Sequence, residues 1–191
     1  MRTEVMYGQY LDLLATGHLL GDVGIPLAVI RYKTAKYTAE RPLLIGAALA
    51  DASPAIMGAC TAFALPLGEA FQLVDDLLGV FGAPDVTGKS RLDDRREGKH
   101  TVLIACALDR ADHGQAALLR ALVGNPHLTE RGAATATIRD ILTTTGARDA
   151  VKQMITTRLQ RALAALEHAP VSHSAAAALR TLADTAVRRT A

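Results

Sequence analysis

Apolar and polar residues along this chain repeat at spacings of three and four, the signature of amphipathic helices, and breaks fall where glycine and proline cluster. Residues 4–20 predict a first helix with a stripe of Val5, Leu13, Leu14, Leu19 and Leu20. Only Thr3 leads into it, so it reads as cut into rather than started. Residues 21–26, with Gly21, Gly24 and Pro26, predict a connector, and residues 27–39 a second helix. Arg41-Pro42 predicts a break, followed by an apolar helix to residue 50 and a turn over 51–54. A long helix then covers residues 55–81, with Pro66 expected to kink it. A polar loop over 82–98 precedes a short buried helix over 100–110. Beyond residue 115 come Ala/Leu-rich helices, broken near Gly124-Asn125-Pro126, at Gly146 and over residues 170–174.

Composition narrows this to an all-α protein. The 191 residues are half apolar, contain no tryptophan and offer few alternating β-branched runs. That length suits one domain with a core of its own. A formal charge of +2 with few aromatics argues against a nucleic-acid-binding surface. Cys60 and Cys106 lie in apolar, helix-like runs and read as reduced core residues of a cytosolic protein. No signal peptide is visible at Met1. The longest nearly uncharged run, residues 54–68, falls short of the roughly 20 residues of a membrane span, so a soluble, cytoplasmic protein is expected.

Chemistry concentrates in residues 68–99. Asp75 and Asp76 sit between Leu73, Val74, Leu77 and Leu78, where ionised carboxylates are costly without a cationic partner. Gln72 precedes them by three and four residues and can share their face. The following loop carries Lys89, Asp93, Asp94, Arg95, Arg96 and Lys99. Carboxylates opposite such a loop suit a divalent cation bridging to phosphate oxygens, with lysines taking the remaining negative charge. The plainer reading of the aspartates is a helix-surface pair. Lys33, Thr34 and Tyr37 are spaced for one helix side, and alone they would read as a solvated edge; Gln9 and Asp12 equally suit a core hydrogen bond. Arg91, Arg95 and Arg96 read as solvated loop, and His18, His100, His113, His127, His168 and His173 as incidental. The GAPDVTGKS segment over residues 82–90 looks like a phosphate-binding loop, but it has one residue too many and follows a helix instead of a strand.

FQLVDDLLG over residues 71–79, followed by TGKS, DD and REGKHT, resembles the second aspartate-rich region of the trans-polyprenyl diphosphate synthases. GQYLDL with Gly8, Gln9 and Asp12, YKTAKYT over residues 32–38 and RPLLIGA over residues 41–47 agree, in the family's order. The resemblance implies an isoprenoid synthase-type helical bundle around a deep cavity, with a motif-bearing core over about residues 4–108 and further helices over about 115–191 of a single partial domain. It implies Mg2+-dependent condensation of an allylic diphosphate with isopentenyl diphosphate, by a prenyltransferase that pairs as a homodimer or with a complete synthase. Carried over to this chain, Asp75, Asp76 and Asp93 would serve the metal, and Lys33, Gln72, Lys89 and Lys99 the diphosphate. Lys33, Thr34, Tyr37, Gln9 and Asp12 would line the reacting centre.

Two departures from the family pattern follow. Gly79 stands where the second motif commonly has a third aspartate, and the first aspartate-rich motif is absent because the chain starts after it. The expectation is therefore an N-terminally truncated synthase with one exposed apolar face. Its rival is a non-catalytic relic or partner subunit of a complete enzyme.

Overall fold

A computed structural model describes residues 1–82, 96–129 and 132–188, and every described element is helical. In order they are α1 (Arg2–Ala15), α2 (Gly24–Val29), a π-helical segment (Ile30–Glu40), α3 (Arg41–Leu49), α4 (Pro54–Phe81), α5 (Val102–Arg110), α6 (His113–Leu122), α7 (Ala133–Thr144), α8 (Ala147–Glu167) and α9 (His173–Val187). The all-α expectation holds. Helix starts carry their own signals: Thr101 accepts the Ile104 N–H, Ser172 the Ala175 N–H, and Asp112 forms a reciprocal capping box with Gln115.

Four sequence-based boundaries need correction. The first helix ends at Ala15, not residue 20, because Gly17 takes a φ of +78°. The expected connector is partly helical, since Pro26 lies in the first turn of α2, where a missing N–H costs nothing. Arg41-Pro42 is a change of register and not a break. The Arg41 N–H bonds to the Lys36 carbonyl five residues back, and the α-register resumes with Pro42 in its first turn. The run over residues 54–68 does not mark the length of its helix, which continues through Pro66 to Phe81. By length and composition α4 is the one described helix able to cross a membrane.

The chain forms two compact units. The first comprises Met1–Gln9, Val29–Val74 and Met154–Arg189. Its core packs Phe63, Ala64 and Leu67 of α4 against Ala162 and Leu166 of α8 and Ala183 of α9. That packing marks α4 as a core helix. Glu69 ties the same helices together, accepting from Arg158 Nε at 2.8 Å.

The second unit includes Tyr10–Ala28 and Asp75–Gln153. All seven residues from Val102 to Leu108 of α5 are buried, and α5 packs on α6 and α7. The C-terminal end of α4 is capped by cations, as its orphan carbonyls require: Arg139 donates to the Val80 carbonyl at 2.7 Å, and Arg148 lies over the Phe81 ring. Cys60 and Cys106 are buried and unbridged, and burial pushes both thiols up in pKa, which keeps them protonated and unreactive.

Candidate active site

The π-helical segment carries Lys33, Thr34 and Tyr37, and its register decides where they point. Ile30, Ala35 and Glu40 are its buried residues, one at every fifth position, as bonding across five residues dictates. Glu40 sits there with one carboxylate oxygen lacking a hydrogen bond and Arg41 Nε 3.9 Å away. Lys33 and Thr34 are half-buried beside that stripe, and Tyr37 is half exposed. Thr34 Oγ1 donates to Gln72 Oε1 of α4 at 3.0 Å, so the structure brings together two site residues that lie 38 apart in sequence.

The first helix docks on this segment with an unexpected face. Glu4 and Gly8 turn inward, whereas Leu13 and Leu14 of the predicted apolar stripe are exposed, together with Met6 and Tyr10. A glycine stands at the contact because the helices approach so closely there. A β-carbon at Gly8 would lie 2.5 Å from the Lys33 backbone nitrogen. Tyr7 meets Tyr32 edge to face, and Glu4 accepts from Lys36 and from Arg41 Nε and Nη2. Hydrogen bonds from Arg41, then Lys36, hold the Glu4 carboxyl at a pKa of about 2, down from 4.5. A depressed pKa stabilises the fold above the unfolded value, and that contribution is lost as pH falls from 4.5 toward 2. Thermal unfolding across that window should therefore fall more steeply for the parent chain than for Glu4→Gln; parallel curves would contradict the assignment.

Gln9 is exposed on α1 and Asp12 is half-buried. Asp75 and Asp76 follow Gln72 on α4, but Asp75 is exposed and Asp76 half-buried. The expected burial thus fails at Asp75: Leu73 and Val74 turn inward around the helix while Asp75 is exposed. Accessible, adjacent carboxylates are hard oxygen donors that fit a divalent cation completing its shell with water and phosphate oxygens. No group of three or more His, Cys, Asp or Glu suited to a metal occurs among the described residues.

Lys99 is half-buried and pairs with Glu97 at 3.2 Å. Its backbone is pinned on both sides, since the Gly98 carbonyl accepts from Gly17 N–H and His100 Nε2 donates to the Leu20 carbonyl. His100 is therefore a buried anchor and not incidental, and Arg96 is no solvated loop residue, because its guanidinium donates to the Leu128 carbonyl. Lys89 and Asp93, with Asp94 and the GAPDVTGKS segment after Gly82, lie outside the described residues.

A second tight approach escaped sequence reasoning. A β-carbon at Gly68 of α4 would lie 2.6 Å from the Ala35 Cα. The available signal was glycine inside a helical, apolar pattern. In the same unit, a cavity of about 490 Å³ is lined by Thr38, Leu43, Phe63, Leu67, Phe71 and Leu182 among others, a lining that favours an apolar guest.

Residues 1–141 match the family model described as polyprenyl synthetase. A geranylgeranyl diphosphate synthase of Mycobacterium tuberculosis is 31% identical over 166 residues, covering 87% of this chain and 47% of that protein. A geranylfarnesyl diphosphate synthase of Aeropyrum pernix is 37% identical over 56% of this chain and 34% of its own. Among solved structures, a geranylgeranyl pyrophosphate synthase from Corynebacterium glutamicum, complexed with isoprenyl diphosphate and magnesium, superposes with a TM-score of 0.92 at 42% identity. It covers 99% of this chain and 53% of its own. A polyprenyl synthase from Caulobacter crescentus, complexed with calcium and isoprenyl diphosphate, gives 0.84 at 32% identity, covering 99% and 56%. The chain thus spans about half the length, or less, of these relatives. With a family model matched over most of its residues and a shared fold throughout, the chain belongs to the polyprenyl synthetase family.

Proposed function

We propose that this chain is a prenyltransferase of isoprenoid biosynthesis, joining an allylic diphosphate to isopentenyl diphosphate with Mg2+. The observation that carries the reading is the Thr34–Gln72 hydrogen bond, which seats the lysine-bearing π-helical turn on the helix that continues into Asp75 and Asp76. In this reaction the allylic C–O bond breaks, diphosphate leaves with the electron pair, and the isopentenyl double bond attacks the allylic cation. A proton is then lost to restore an alkene.

Charge separation is the barrier, so fixed cations for the leaving group and a weakly polar wall for the carbocation are what the site must supply. Lys33 serves the diphosphate, with Lys99 and Lys89. Thr34 and Tyr37 offer an oxygen atom and a ring face to the cationic carbon, Gln9 and Asp12 are assigned to the same reacting centre, and Gln72 serves the diphosphate. Asp75, Asp76 and Asp93 are the residues that would hold the metal. Mg2+ held there would supply positive charge to the diphosphate leaving group. The exposed Met6, Tyr10 and Leu13 of α1 suit a homodimer contact, and we place the protein in the cytoplasm.

Isothermal titration with geranyl diphosphate alone tests the reading without turnover. Binding that requires Mg2+ and vanishes with chelator is expected. Heat release independent of Mg2+, or none from a folded chain, would overturn it.

A further inference from the structure

Two glycines on opposite helices close onto the same turn of the π-helical segment. On α1, the position of a Gly8 β-carbon is 2.5 Å from the backbone nitrogen and 2.9 Å from the Cα of Lys33. On α4, that of Gly68 is 2.6 Å from the Cα and 2.9 Å from the Cβ of Ala35. These are approaches to backbone, which cannot rotate away as a side-chain tip can. Lys33 and Ala35 flank Thr34, whose hydroxyl is bonded to Gln72 four residues beyond Gly68 on the same helix. At other helix glycines space is open: a β-carbon at Gly58 of α4 or Gly46 of α3 would meet nothing within 4 Å.

We infer that Gly8 and Gly68 are positioning residues. They let two helices clamp the turn that presents Lys33 and Thr34, and so fix where the diphosphate-binding ammonium and the Thr34–Gln72 pair stand. The π-register alone does not set that position, because it determines which face is buried and not how far the segment lies from its neighbours. This inference rests on the proposed role of Lys33 with diphosphate.

The test is titration with inorganic pyrophosphate and Mg2+, paired with thermal unfolding of each variant. Gly8→Ala and Gly68→Ala are expected to weaken pyrophosphate binding by about tenfold or more, the scale of a displaced charged hydrogen bond. Gly58→Ala should bind like the parent. Leu166→Ala, a core truncation away from the turn, should lower the unfolding midpoint and leave affinity unchanged below it. The decisive readout is coupling: in a Lys33→Ala background, Gly8→Ala should add no further loss. Ala35→Gly introduces no atom to clash, and it should loosen the same contact and weaken binding severalfold even if both alanine variants fail to fold. Parent-like affinity in Gly8→Ala, Gly68→Ala or Ala35→Gly, or additive losses with Lys33→Ala, would overturn the positioning role alone. No Mg2+-dependent binding by the parent would overturn the diphosphate reading beneath it.

Discussion

Asp75→Ala should lower product formation by about 100- to 1,000-fold while leaving the fold intact, the scale expected when one preorganised electrostatic contact to a developing charge is removed. The two halves of that expectation come from different properties of one residue. Asp75 is exposed on α4, so its truncation leaves no cavity, and unfolding should shift by no more than about 1 kcal/mol. Its carboxylate is nevertheless one of two adjacent hard donors after Gln72, and alanine halves the charge available to a divalent cation there. Asp75→Asn sharpens the comparison, since it keeps shape and loses charge. Equal losses in both variants, with unchanged circular dichroism, would assign the effect to charge. An Asp75→Ala variant with parent-like turnover would remove Asp75 from the metal site.

Glu69→Ala should destabilise the fold by about 2 to 3 kcal/mol, somewhat below the cost of breaking a fully buried pair. Both partners are largely shielded: the Glu69 side chain is 16% exposed and that of Arg158 15%, with Nε 2.8 Å from Oε2. Removing the carboxylate strands a guanidinium between α4 and α8, its remaining bond a long one to the Met154 carbonyl. Arg31, 4.0 Å away and half exposed, adds little. Glu69→Gln keeps an acceptor oxygen and should cost about 1 kcal/mol. Urea midpoints for the two variants decide between them; a loss for Glu69→Ala no larger than for a surface pair would mean that water reaches Arg158.

Much of the fold could be read from the chain. The seven buried residues of α5 and the length of α4 follow from apolar spacing, and the breaks at Gly124 and Gly146 from glycines at φ of +93° and +71°. What resisted reading has identifiable causes. Burial at every fifth residue, as in Ile30, Ala35 and Glu40, matches no three-four template, so the π-register was invisible. On α1 the count of apolar residues favoured Leu13 and Leu14 as core, yet the close contact with the π-helical segment admits only a glycine at Gly8.

The candidate site was legible as residue types and order, through Lys33, Thr34, Gln72 and the paired aspartates. Its environment was not, because flanking leucines suggested buried carboxylates where Asp75 is exposed. His100 looked incidental and Arg96 solvated since their partners, the Leu20 and Leu128 carbonyls, are backbone groups that leave no trace in side-chain pattern.

The reaction proposed for this chain joins prenyl units. Incubating the purified protein with Mg2+, isopentenyl diphosphate and a panel of allylic diphosphates, and reading products by mass spectrometry, tests it most directly. A longer prenyl diphosphate that disappears in Asp75→Ala is the predicted result. A folded chain that binds the allylic diphosphate and yields no product would contradict it.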